Sequence, residues 1–296
     1  MQKSSPSRAM VARIFVCACA VAATLAGLDV MEPGIAAAQE VQVRGPLAGA
    51  PAVRRLRLHR RGRFTIAPHA SITIQDEYNR HFIFGAQLQY HFTDWLGLGV
   101  WGGFSPFQVS TSVADQVEER ALQSTPQNRL SVPSGAGFTE QTGVIQWIAG
   151  GQLTFIPLRG KLALFQKLFL DTDLYIFAGG AAVGLQERPE VDGSICPGAG
   201  APSGECLATQ TRESSGVTFA PMFGAGLTFY ITGFFGLSFE YRALPFAWNT
   251  SGTDESGADN EFPDGRIDSD DRLFHFNQIF SIGFVFHLPT AVGIGD

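Results

Sequence analysis

Glu240 and Arg242 stand two residues apart in a 296-residue chain of which only 16% is charged. Residues two apart on an extended strand share a face. Taken out of water, each of these charges needs the other. Gln87, Gln89, Gln146, Gln152 and Asn277 fall on the matching face of their own segments, and a polar network with the ion pair is expected. Such a network can seal a narrow β-barrel, whose interior at eight strands is just filled by side chains, or it can gate a pore. His91, His287 and Arg63 fall at one end of three segments and invite acid–base chemistry. No nucleophile stands beside them in the pattern, so no catalytic residue is assigned and no enzyme is expected.

Residues 260–271 match the second half of a calcium loop: Asp264-Gly265-Arg266-Ile267-Asp268, then Asp271 at the twelfth position. Asn260 and Phe262 occupy its first and third positions, where oxygen ligands belong in the first half. Asp264, Asp268 and Asp271 therefore make a weak calcium site, or a bridge to lipopolysaccharide phosphates, against the plainer reading of a solvated acidic loop. No other cofactor is expected. Cys196 and Cys206 flank a stretch rich in proline and glycine, and in an exported chain they are expected to form a disulfide.

The elements that must position these residues show in the alternation. In Leu273–Leu288, Phe274, Phe276, Phe280, Ile282, Phe284, Phe286 and Leu288 share one face, broken only by Gln278, while His275, Asn277, Ser281, Gly283 and His287 take the other. A helix would spread those phenylalanines around its whole circumference. The same period of two recurs in residues 81–92, 96–104, 144–156, 217–230 and 235–248. In the fourth of these eight strands, Ile145, Trp147, Ala149, Leu153 and Phe155 are assigned outward and Gln146, Gln152 and Thr154 inward. Residues 63–73 alternate too, but Pro68 cannot donate to a ladder and predicts a bulge or an edge. Residues 169–186 carry both Leu174/Ile176 and Tyr175/Phe177, which leaves the facing of the fifth strand open.

Strands of roughly 9–11 residues with one apolar face fit a membrane crossing. The reading is all-β: an eight-stranded, antiparallel, up-and-down transmembrane barrel. Tight turns after the second and sixth strands alternate with long connections near 105–142, 187–215 and 249–272. The short connection 75–80 and the long turn 158–168 strain that rule. A soluble, lipocalin-like barrel is the competing fold and would reverse the facing.

The N-terminus has Lys3, Arg8 and Arg13 before an apolar run, then Ala36-Ala37-Ala38, a signal peptide cleaved after residue 38. Its removal leaves a net charge of −7 from −6, since Lys3, Arg8, Arg13, Asp29 and Glu32 depart. A nucleic-acid partner is disfavoured. Residues 39–62 form a periplasmic lead-in with Arg54, Arg55, Arg57, Arg60 and Arg61. With Arg63, these arginines grip lipid phosphates at about 1 kcal/mol each, or the segment is simply solvated. The barrel occupies 63–288 and a periplasmic tail 289–296, with both termini in the periplasm.

Ser281-x-Gly283-x-x-Phe286-x-Leu288 resembles the last-strand signal read by the barrel-assembly machinery, ending eight residues before the terminus. Residues 61–95, with Gly-Arg-Phe leading into a strand, Asn79-Arg80-His81, and Tyr-His-Phe-Thr-Asp-Trp at a turn, resemble the outer-membrane β-barrel domain proteins common in myxobacteria. By size the chain is similar to the OmpA membrane domain, OmpX and OmpW. The resemblance implies fold and an outer-membrane location, with lipid and lipopolysaccharide as surroundings and no assigned activity. The function expected is a structural or interaction barrel with three long extracellular loops, and the runner-up is a narrow channel for small or apolar solutes.

Overall fold

The computed structural model describes residues 60–121, 130, 137–164, 168–192, 211–212, 214–255 and 265–290, with backbone alone at 161–164 and 168–169. The strands are β1 (Phe64–Ile74), β2 (Asn79–His91), β3 (Leu96–Ser110), β4 (Val144–Leu164), β5 (Leu168–Glu187), β6 (Val191–Asp192), β7 (Ser214–Tyr230), β8 (Phe235–Trp248), β9 (Arg266–Ile267) and β10 (Leu273–Leu288). Eight of them close an antiparallel barrel in the order β1-β10-β8-β7-β5-β4-β3-β2, and β6 pairs with β9 outside it. First and last strands meet at Phe64↔Leu288, so both ends of the barrel segment lie at one rim.

The facing is that of a membrane barrel. On β10, Phe276, Ile282 and Phe284 are 48%, 46% and 53% exposed, whereas Asn277, Ser281 and His287 are 6% or less. A continuous apolar belt of this kind has no partner in water, while hydrocarbon accepts it. The lipocalin-like alternative is thereby excluded, because the charged pair sits inside together with Gln87, Gln89 and Gln152.

The tight turns at the terminal rim are built alike. Thr93 Oγ1 accepts from the backbone N–H of Trp95 and Leu96 at 3.3 and 3.0 Å, and Thr232 Oγ1 from Phe234 and Phe235 at 3.5 and 3.1 Å. A threonine one residue into each turn satisfies amides that the ladder no longer reaches.

Three sequence expectations are revised. Pro68 makes neither a bulge nor an edge: pairing of β1 with β10 skips Ala67 and Pro68 and resumes in the same register at His69↔Gly283. The long turn 158–168 is an extension of the β4–β5 ladder, which continues from Leu158↔Leu174 to Leu164↔Leu168. β3 runs past Phe104 to Ser110, because the outer end of β2 holds it through Phe82↔Phe107 after a register shift. The ambiguous fifth strand faces Tyr175 and Phe177 inward, 9% and 4% exposed, and Ile176 outward.

Candidate functional site in the barrel lumen

At mid-height the predicted pair is made. Arg242 Nη2 donates to Glu240 Oε1 at 2.5 Å, and the Tyr175 hydroxyl donates to Glu240 Oε2 at 3.1 Å. The Arg242 guanidinium is sandwiched between the rings of Trp101 and Phe177, 4.1 and 4.2 Å from their centroids. His69 also stacks on Trp101, the two rings parallel at 4.9 Å. Arg242 has no exposed surface. The β-strand period explains the arrangement: positions 238, 240 and 242 share the inner face of β8, and 175 and 177 that of β5.

Below this layer, toward the terminal rim, Gln87 donates to Gln89 at 3.1 Å and Gln152 to Thr154 at 3.3 Å. Asn277 lies at the other end, accepting from Trp248 Nε1 at 3.2 Å. Gln146 does not join them. It is exposed and bonded to Gln186 at 3.1 Å, because the β4–β5 register shifts between Ile145 and Trp147. The inserted residue turns outward and drives Ile145, assigned to lipid, into the core at 2% exposure.

The terminal rim holds what the sequence did not reveal. Arg60, 1% exposed, enters the lumen mouth, pairs with Asp173 and donates to the Tyr230 hydroxyl at 2.7 Å. Its backbone N–H and that of Arg61 are taken by Asp94 Oδ1 at 2.7 and 3.1 Å. His91 and His287 do converge, bridged by Thr65 Oγ1 at 2.9 Å to each ring. Arg63 reaches the Pro289 carbonyl at 2.7 Å instead of a phosphate. A cavity of about 40 Å³ lies among Arg60, His91, Asp173 and Tyr230, room for a few waters at most. The sequence signal for this cork was Asp173, a carboxylate two residues from Tyr175 on an inward face, which requires a cation from elsewhere.

The last-strand motif is laid out as its alternation requires. Ser281 faces inward and accepts from Ser71 at 2.7 Å. A side chain at Gly283 would crowd the Pro68 carbonyl and Ser238. Phe286 faces outward against Phe235 at 5.2 Å, and Leu288 is 42% exposed.

Outside the membrane strands, Asp268 and Asp271 form a reciprocal cap on the turn Ser269–Asp271, each accepting a backbone N–H; Asp271 also accepts from Glu255 N at 2.7 Å. Asp264, Cys196 and Cys206 lie outside the described residues. Among the described residues no group of three or more acidic, histidine or cysteine side chains could hold a metal ion.

A cleft of about 360 Å³ opens at the mouth away from the terminal rim, beside Asp76, Glu77, Tyr78, Trp248 and His275. Nearby, burial first, then Glu77 and Asp271, push the Glu255 carboxyl above its ordinary range. A carboxyl raised on folding stabilises in its protonated form. Its contribution is complete below the unfolded carboxyl range and is lost as pH rises through the folded value. Glu255→Gln is therefore expected to slow proteolysis of the outer connections at neutral pH and to abolish their extra resistance under mild acid; equal digestion rates for both chains across that range would contradict the assignment.

No protein-family model matches the chain, and no curated protein matches its sequence. Solved structures do. The N-terminal β-barrel domain of Pseudomonas aeruginosa OprF aligns at 10% identity and TM-score 0.38, covering 77% of this chain and 98% of that one. OprG from the same organism aligns at 8% identity and TM-score 0.38, covering 79% and 99%. Ail, the attachment invasion locus protein of Yersinia pestis, aligns at 10% and 0.29, covering 77% and 99%. The strand order and the apolar belt establish on their own a closed eight-stranded barrel whose outer face suits hydrocarbon.

Proposed function

We propose that this chain serves as a non-conducting, non-enzymatic outer-membrane barrel, a structural and interaction protein that keeps its lumen shut and displays three long connections to the exterior. The observation that supports this is the Arg242 layer: a guanidinium with no exposed surface, paired with Glu240 on its own strand and clamped between Trp101 of β3 and Phe177 of β5. Eight strands leave no spare section around such a layer. The purified barrel in planar bilayers is expected to give no single-channel steps. Reproducible steps would replace this reading with the narrow-channel one.

The tight turns share the rim where β1 begins and β10 ends, and the pattern of such barrels supports reading that rim as the periplasmic one. Residues 1–38 act as the export signal in this reading, and the mature protein begins at Gln39. N-terminal sequencing of membrane-extracted protein checks it, with an intact Met1 as the contrary result. Lipid and lipopolysaccharide surround the belt, and Ser281, Gly283, Phe286 and Leu288 engage the assembly machinery.

A further inference from the structure

The ladder between β7 and β8 runs from Tyr230↔Gly236 to Phe223↔Ala243 and stops there. Both strands continue beyond it. β7 is held by β5 as far as Ser214↔Glu187, and β8 by β10 as far as Trp248↔Leu273, yet residues 214–222 and 244–248 share no pairing. Carried two steps on, the register sets Pro221 opposite Pro245. Neither can donate a hydrogen bond, so the seam lacks donors where it would next be stitched.

This unstitched stretch lies at lipid height. Counted from Phe229, Phe219 falls within the roughly 9–11 residues that a strand needs to cross the hydrocarbon, in its outer half. Phe219 is 81% exposed, the most of any large apolar residue described. Behind the seam the lumen is apolar: Ala220, Met222, Leu244 and Phe246 are all buried within the core cluster that includes Ile148, Val183 and Leu185. Side chains alone close the wall there. Where the ladders are intact the wall is held by backbone hydrogen bonds, which have no substitute partner in hydrocarbon. Apolar side chains, by contrast, gain little from facing the lumen over facing lipid tails, since both surroundings are apolar. β3 and β4 also part beyond Phe104↔Trp147, but for a shorter stretch. The β7–β8 seam is thus the longest part of the described wall that opens without breaking a ladder, and what adjoins it is hydrocarbon.

We propose that the β7–β8 seam is a side door through which one hydrocarbon chain from the outer leaflet enters the upper lumen, displacing Leu244 and Phe246 and resting on the Arg242 layer as a floor. The proposal rests on the membrane placement of the barrel and not on its failure to conduct ions, because an alkyl chain entering sideways never crosses the floor.

The test uses the full barrel in phosphatidylcholine vesicles carrying a trace of either a diazirine fatty acid or a phospholipid with the same diazirine chain. After irradiation, labelled residues are mapped by mass spectrometry. Labels on inward Met222, Leu244 and Phe246 are expected in addition to outward Phe223; labelling from both probes makes any chain end a ligand, and from the fatty acid alone a free acid. Pro221→Ile with Pro245→Ile restores two donors and is expected to lower inward labelling on the order of tenfold, with Phe223 unchanged. A reducible thiol linker between Phe219→Cys and Ala247→Cys, in a chain with Cys196→Ser and Cys206→Ser, is expected to do the same until reduced. Heat-modifiable gel migration reports folding of each variant. Labels confined to outward residues, or inward labels indifferent to both the isoleucines and the linker, would overturn the side door.

Discussion

Glu240→Ala is expected to destabilise the barrel by about 3–5 kcal/mol, the cost of leaving one partner of a buried ion pair behind. Arg242 cannot turn to water to relieve itself, since it is fully buried between Trp101 and Phe177. The loss also strands the Tyr175 hydroxyl, which donates to Glu240 at 3.1 Å. Arg242→Met should cost a comparable amount, because it leaves a buried carboxylate with one neutral donor. Glu240→Leu combined with Arg242→Met, by contrast, is expected to recover most of the loss, since replacing both charges by apolar groups of similar volume removes the desolvation penalty together with the attraction. Urea unfolding in lipid vesicles, followed by heat-modifiable migration and tryptophan fluorescence, measures all three. A double variant as unstable as the two singles added together would mean that the pair is not coupled and that the rings alone hold Arg242.

The pair was legible because β structure has a period of two. Positions 240 and 242 share a face whatever the register, and the flanking Phe235, Leu237, Phe239 and Tyr241 say which face meets lipid. The same logic placed six strands by clear alternation. It failed at Gln146, where one inserted residue in β4 inverts the local facing; an insertion leaves no mark on alternation until the partner strand is known. It left β5 open because both faces are apolar there, and the structure shows why. Phe177, Val183 and Leu185 line the upper lumen, which is a packed apolar core and not the polar channel that the glutamines suggested. Arg60 was missed for a different reason. Its partners Asp173, Tyr230 and Asp94 come from β5, β7 and the β2–β3 turn, so the cork is made by closure of the barrel, and no stretch of sequence contains it.

Arg60→Ala is expected to unseal the mouth at the terminal rim without making a channel. The guanidinium joins Asp173 and Tyr230, and Asp94 pins the backbone from which it projects by accepting from two successive amides. Removing the side chain leaves Asp173, 4% exposed, without its cation, so the carboxylate draws water into the small cavity beside it and stability falls by about 3 kcal/mol or more. The reporter is Thr65→Cys, set between His91 and His287. With Arg60 in place, a water-soluble methanethiosulfonate should modify this cysteine slowly; with Arg60→Ala the rate should rise on the order of tenfold, the shift that about 1.4 kcal/mol of easier access gives. Asp94→Ala, which frees the backbone but spares the guanidinium, should fall between the two. A cysteine equally reactive with and without Arg60 would show that the mouth is open already. Arg60→Ala alone stays silent in planar bilayers, because the Arg242 layer and the apolar core of Ile148, Val183, Leu185, Leu244 and Phe246 still fill the lumen above it.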